Sequence, residues 1–256
     1  MSVTHRRIGF VTGKDLRMQK FWRYPLIILF LILGTLNQPY VCAAELAEKR
    51  RESVKTQEPV LVIIGASYAK DWEIQSTGKY RVVNKGVGGE ETHQMRARLE
   101  EDVIKQRPSA VLIWGFINDI FRSPREGVTD KLARTRANLQ AMITRVNAAG
   151  IRPILATEVY ITTPNHLSEK LLGWVGKLRG KMSYQDYVNA HVRDTNIWIR
   201  EIAKEKKISI LDFERVLADE SGARQRRYAA EDGSHLSAEA YAALTDYTNR
   251  LIDNRQ

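Results

Sequence analysis

Short apolar runs rich in β-branched residues recur along the chain, at residues 60–64, 81–83, 110–114, 153–157 and 208–211. Each is too short for a helix and long enough for a strand. Between them apolar positions return at helical spacing: Met95, Leu99 and Val103, then Leu132, Leu139, Met142, Ile143 and Val146, then Thr195, Ile199 and Ile202. Alternation of this kind predicts parallel strands joined by right-handed crossovers, a three-layer α/β domain with helices on both faces of the sheet. The periodicity ends in a helix over about residues 237–252, with Ser237 placed to cap it.

The ends of the chain break this rhythm. Residues 25–36 form an uncharged apolar run, shorter than the ~20 residues that span a bilayer and preceded by Lys20 and Arg23. Val41-Cys42-Ala43-Ala44 follows, with small residues where a signal peptidase cuts. Residues 1–44 therefore read as a leader, the mature chain starting near Glu45 and being periplasmic or secreted; the alternative is an uncleaved anchor, and Met18 is a second candidate start. Residues 45–58 are polar without an apolar period and read as a linker. The folded domain is expected over 59–256, with no transmembrane segment in the mature chain. Within it, residues 160–190 are too long for a loop and carry Leu171, Leu172, Trp174, Val175, Leu178, Tyr184 and Tyr187. They read as a helical insertion on the carboxyl rim of the sheet, either structural or a lid over a site.

Composition narrows the function classes. A chain of 256 residues that is 43% hydrophobic and 27% charged is an ordinary globular protein without repeats. The formal charge of +10 invites a nucleic-acid partner, but residues 1–44 hold Arg6, Arg7, Lys14, Arg17, Lys20 and Arg23 against Asp15 alone. The remaining excess lies in mixed-sign stretches such as Arg96-Ala-Arg-Leu-Glu-Glu-Asp102, read as solvated helix faces, and in Arg224-Gln-Arg-Arg227, read as a solvated loop. No nucleic-acid partner is expected. Cys42 is the only cysteine, so the exported domain has no disulfide to rely on. A lipoprotein reading of Cys42 lacks the small residue expected just before it.

Four places carry candidate chemistry. Ser67 follows the first strand directly, where a helix start offers free N–H groups to an oxyanion; a serine there equally serves as a cap. Asp232-Gly-Ser-His235 precedes the last helix, and a three-residue gap lets the carboxylate fold back onto Nδ1 of the ring and leave Nε2 to take a proton. By itself it is also a turn beside a surface histidine. Asn84-Lys-Gly-Val-Gly-Gly89-Glu follows the second strand, where glycines allow close approach of backbone N–H groups to a ligand, or simply a tight turn. The G-x-G-x-x-G spacing of a dinucleotide site is missing. Trp114-Gly-Phe-Ile-Asn118-Asp119 ends the third strand with an amide that donates to an oxyanion or bonds its own turn. All four fall at carboxyl ends of strands or in the final loop, where one pocket gathers them. No metal-ligand spacing and no phosphate loop accompanies them, and a cofactor-free enzyme is expected.

The order Ser, Gly, Asn, then Asp-x-x-His, resembles the SGNH superfamily, the GDSL-type esterases and lipases, over about residues 60–252. That resemblance implies a flavodoxin-like five-stranded parallel sheet, Ser67 as nucleophile, the Ser67 and Gly89 N–H groups with the Asn118 amide as oxyanion hole, and His235 with Asp232 completing a triad. It implies an ester substrate, whether a small molecule, a glycan or a lipid, and an acyl-enzyme intermediate. Two departures stand out: Gly65-Ala66-Ser67 replaces Gly-Asp-Ser, and the turn from Gly115 to Asn118 is one residue longer than usual. An O-acyltransferase would use the same residues, and a non-catalytic envelope or carbohydrate-binding module would keep the fold without turnover.

Overall fold

The computed structural model describes residue 45, residues 58–162 and residues 183–253. The leader, residues 46–57 of the polar stretch and residues 163–182 of the insertion lie outside the described residues. The domain forms one compact unit, Glu58–Gln256. Its six strands are β1 (Val60–Gly65), β2 (Ser76–Thr77), β3 (Tyr80–Gly86), β4 (Ala110–Trp114), β5 (Arg152–Ala156) and β6 (Ser209–Leu211), in the order β2-β3-β1-β4-β5-β6. The five strands expected from the apolar runs are all present and pair in parallel. β2 is an addition, a two-residue antiparallel edge on β3 too short to leave a period in the sequence.

Both faces of the sheet are covered, which is why β4 is apolar and buried throughout. Helix α4 (Val128–Ala148) buries Leu132, Leu139, Met142, Ile143 and Val146. Helix α5 (Tyr184–Glu205) buries Thr195, Ile199 and Ile202, so residues 184–190, grouped above with the insertion, are its first turns. Helix α7 (Ala238–Asp253) starts where expected, Ser237 Oγ accepting from Ala240 N at 3.2 Å. The stripe of Met95, Leu99 and Val103 is buried as predicted but is not one α-helix: α2 (Thr92–Ala97) gives way to a π-helical turn over Glu100–Ile104. Among the described residues no helix is long and apolar enough to cross a membrane.

Without its β2 edge the sheet has the 2-1-3-4-5 order of flavodoxin-like folds, whose ligands bind where the strand order reverses, outside the carboxyl ends of β1 and its neighbours. Gly65 ends β1 at that point. A Cβ there would stand 2.2 Å from the carbonyl oxygen of Trp114 and 2.6 Å from Cβ of Ala69. The missing side chain lets the next turn close onto the sheet.

Candidate active site

That turn is α1 (Ser67–Lys70), and Ser67 is its first residue. No side chain caps its start, so Ser67 is not serving as the cap that its position alone suggested. A single turn has little macrodipole, and the oxyanion assistance expected from a helix reduces here to local N–H groups. Aromatic rings pack against α1: its Tyr68 meets Trp114 at 5.8 Å, and Trp114 in turn meets Trp72 edge-on at 5.8 Å and Phe213, the first residue of α6 (Phe213–Leu217), at 4.8 Å. Trp72 Nε1 also donates to Thr245 Oγ1 of α7 at 2.9 Å.

The glycine loop is fastened to α1 by Asn84. Its amide donates to the carbonyls of Ala69 and Trp72 at 2.6 and 3.0 Å, while its oxygen accepts from Gly86 N at 2.8 Å. Gly89 has φ +77°, a left-handed conformation that disfavours any side chain. The mixed-sign stretch around Arg98 is not simply a solvated face. The Arg98 guanidinium reaches under the same loops to the carbonyls of Lys85 and Gly65, and to the Glu90 and Asp102 carboxylates.

Asn118 lies in α3 (Ile117–Phe121), and its amide donates to Glu90 O at 2.9 Å, tying the helix to the glycine loop. The neighbouring Asp119 makes the same link from inside. Its oxygens accept from Thr92 N at 2.9 Å, Thr92 Oγ1 at 2.8 Å and Thr135 Oγ1 at 2.8 Å. Burial raises the Asp119 carboxyl above its ordinary range, and those donors pull the other way.

The loop before α7 brings Asp232 Oδ2 to 2.5 Å from His235 Nδ1. Asp232 also accepts from Ser234 N and His235 N, both at 2.9 Å, and from Ser234 Oγ at 3.0 Å. Desolvation disfavours its charge, but these bonds, led by the one to the His235 ring, outweigh it and hold the carboxyl at about 2. A carboxylate so stabilised stays ionised at any pH where an imidazole is neutral, which fixes the ring's tautomer with Nε2 free.

Among the described residues Ser67, Gly89, Asn118 and His235 all line one cleft of about 410 Å³, together with Gly88, Ile117, Phe121 and Ser234. Asp232 stands behind His235. Among the described residues no hydrogen bond joins Ser67 to His235; catalytic contacts are often loose without substrate. No cluster of three or more His, Cys, Asp or Glu among the described residues is placed to hold a metal.

The reading of residues 224–227 as a solvated loop is corrected at its first position. Arg224 is only 5% exposed, and its guanidinium donates to the carbonyls of Gly233, Ser234 and His235 and to Thr162 Oγ1. The Tyr68 hydroxyl, next to Ser67, donates to Ser234 O at 2.7 Å. The His235 loop is thus held to α1 and to a buried cation. A run of three arginines in four positions gives no sign that one of them turns inward, because the carbonyls it meets carry no side-chain signature.

Comparison with known proteins identifies the family and the fold. Residues 64–243 match the GDSL-like lipase/acylhydrolase family. An acetylxylan esterase of Geobacillus stearothermophilus is 52% identical over 42 residues, 16% of this chain and 19% of that protein. An uncharacterized lipoprotein of Bacillus subtilis is 33% identical over 90 residues, 34% of this chain and 36% of that protein. The matched stretches thus span well under half of either curated relative. Among solved structures, an acetylxylan esterase of Geobacillus stearothermophilus superposes with TM-score 0.58 at 23% identity, over 76% of this chain and 94% of that one. A GDSL-like lipase of Bacteroides thetaiotaomicron gives TM-score 0.58 at 20% identity, over 82% and 98%. At such identities the superpositions establish the SGNH hydrolase fold, while the sequence match, which runs from the end of β1 into α7 and covers more than half of the chain, establishes kinship: the protein belongs to the GDSL-like lipase/acylhydrolase family, a family of ester-bond hydrolases.

Proposed function

We propose that the chain is an exported serine esterase that cleaves carboxylic esters by two-step acyl transfer through Ser67, His235 and Asp232. The observation that carries the proposal is the short Asp232–His235 bond on a ring that shares its cleft with Ser67, Gly89 and Asn118. In the first step Ser67 Oγ attacks the ester carbonyl carbon while its proton passes to Nε2 of His235. The carbonyl oxygen becomes an oxyanion, which the Ser67 and Gly89 N–H groups and the Asn118 amide receive. Collapse breaks the bond to the alcohol, which leaves with the proton from His235. Water then repeats the sequence on the acyl-enzyme, releasing the acid and restoring Ser67.

As lined by the described residues the cleft holds about 410 Å³ and has both polar and apolar walls, which favours a short acyl group on a bulky polar alcohol over a long fatty chain. A partial match to an acetylxylan esterase supports the same direction, and we take acetyl esters of carbohydrates as the substrate class. Export rests on the apolar run and small residues of 25–44.

Purified protein incubated with acetylated oligosaccharides and with aryl esters of increasing acyl length tests the reading. Acetate release that falls steeply beyond short acyl chains and is lost in Ser67→Ala is expected. Equal hydrolysis of long-chain esters would refute the substrate class, and Ser67→Ala activity equal to wild type would refute the mechanism.

A further inference from the structure

The turn that leads from β4 into α3 delivers Asn118 to the cleft, and it is one residue longer than the Gly-x-Asn pattern the sequence resembles. A helix start leaves its first N–H groups without partners inside the helix. Here two of them, Phe116 N and Ile117 N, converge on one acceptor, Oε1 of Glu158, at 2.8 and 3.4 Å. Glu158 lies just beyond β5 and is 1% exposed. Its own backbone is clamped from the far side by Asn196 of α5, whose Oδ1 accepts from Glu158 N at 2.9 Å and whose Nδ2 donates to Glu158 O at 2.8 Å.

A buried carboxyl is costly unless its oxygens are paired, and the second oxygen of Glu158 has no partner among the described residues. An apolar side chain of similar size would fill the space without that penalty. What an apolar side chain could not do is satisfy the two N–H groups at the start of α3. Burial pushes the Glu158 carboxyl up to about 7, with the N–H groups of Phe116, Ile117 and Val159 pulling it down. These donors therefore keep a charged acceptor accessible near neutrality.

Asn118 has tethers of its own, the Glu90 carbonyl and the Asp119 links to Thr92 and Thr135, but all of them pull α3 toward the glycine loop and α4. Glu158 works from the opposite side, at the turn itself. We propose that Glu158 is a positioning residue for the Asn118 amide: by accepting from Phe116 N and Ile117 N it fixes the lengthened turn, and with it the direction in which the amide meets an oxyanion. The assignment rests on the role given to Asn118 above.

The test is a double-mutant cycle on aryl acetate hydrolysis. Glu158→Ala lowers kcat by about 10- to 100-fold, bounded by the ~10² to 10³ that a whole oxyanion donor supplies, with KM within about twofold of wild type. In an Asn118→Ala background the same substitution has almost no further effect on kcat. Glu158→Gln, which keeps an acceptor, recovers most of the rate, whereas Glu158→Asp, which withdraws it by one methylene, does not. Should Glu158→Ala fail to fold, the cycle runs with Glu158→Asp. Equal losses in the two backgrounds, or a Glu158→Asp rate equal to wild type, would overturn the proposal. Amide hydrogen exchange at Phe116 and Ile117 separates this inference from the enzymatic one. Glu158→Asp speeds exchange at both amides whether or not the protein is an esterase, and unchanged exchange overturns the positioning role even if esterase activity stands.

Discussion

Arg224→Met keeps the apolar stem and removes the guanidinium that holds the carbonyls of Gly233, Ser234 and His235. A hydrogen bond from a charged donor contributes about 1.5–3 kcal/mol. The contacts to Ser234 and His235, at 3.2 and 3.3 Å, are long and count for less. One full contact and two at about half strength give roughly 4 kcal/mol gross. Against this, burial pulls the guanidinium pKa below its ordinary value, so removing the cation relieves a desolvation cost, and water returning to the carbonyls recovers more. A net loss of ~2 kcal/mol remains, or a fall in Tm of about 4–8 °C for a domain of this size. The freed loop lets His235 drift from Ser67, and a displacement of ~1 Å costs up to about 10² in rate. Kcat measured well below the variant's midpoint should therefore drop about 10- to 100-fold, with KM little changed and Arg224→Lys intermediate. A variant that melts early yet keeps wild-type kcat when folded would refute the argument, because Arg224 would then be structural only.

Other consequences can be checked alongside. Asn118→Ala should lower kcat by about 10² to 10³ and, because the bond to Glu90 O is lost with the amide, cost about 1 kcal/mol of stability, or ~2–4 °C in Tm; a near-normal rate removes the amide from the oxyanion hole. Asp232 is depressed in the fold, so its stabilising contribution is present above the ordinary carboxylate range, near pH 4, and is lost as pH falls through about 2. The shift nominally corresponds to about 2 kcal/mol, but the side chain is 49% exposed and screening reduces this to ~1 kcal/mol. Denaturant midpoints of wild type and Asp232→Asn should converge between those pH values, and a constant gap would contradict the sign. Gly65→Ala places a Cβ against the Trp114 backbone, which cannot yield as a side chain would. We expect destabilisation of ~3 kcal/mol or more, read by thermal melting, with a wild-type Tm refuting the close approach.

The strands were legible because parallel strands covered on both faces leave near-continuous apolar runs, as in Ala110–Trp114. Ser67, Gly89, Asn118, Asp232 and His235 were legible together because strand ends and loops gather at one edge of such a sheet. What stayed hidden was the support beneath them. Arg98, Arg224 and Glu158 act on backbone carbonyls and N–H groups, which are the same at every position and leave no trace in residue identity. Local charge pattern suggested solvent for both arginines, and long-range packing overrode it. β2 and the π-helical turn escaped because neither is long enough to complete a period.

The proposed esterase chemistry stands on the acylation of Ser67. Incubating the purified protein with a serine-reactive phosphonate and mapping the adduct by peptide mass spectrometry tests it directly. One adduct is expected, on Ser67, forming at the rate at which esterase activity disappears and much more slowly in His235→Gln. An active enzyme that remains unlabelled at Ser67, or labelling there that leaves activity intact, would contradict it.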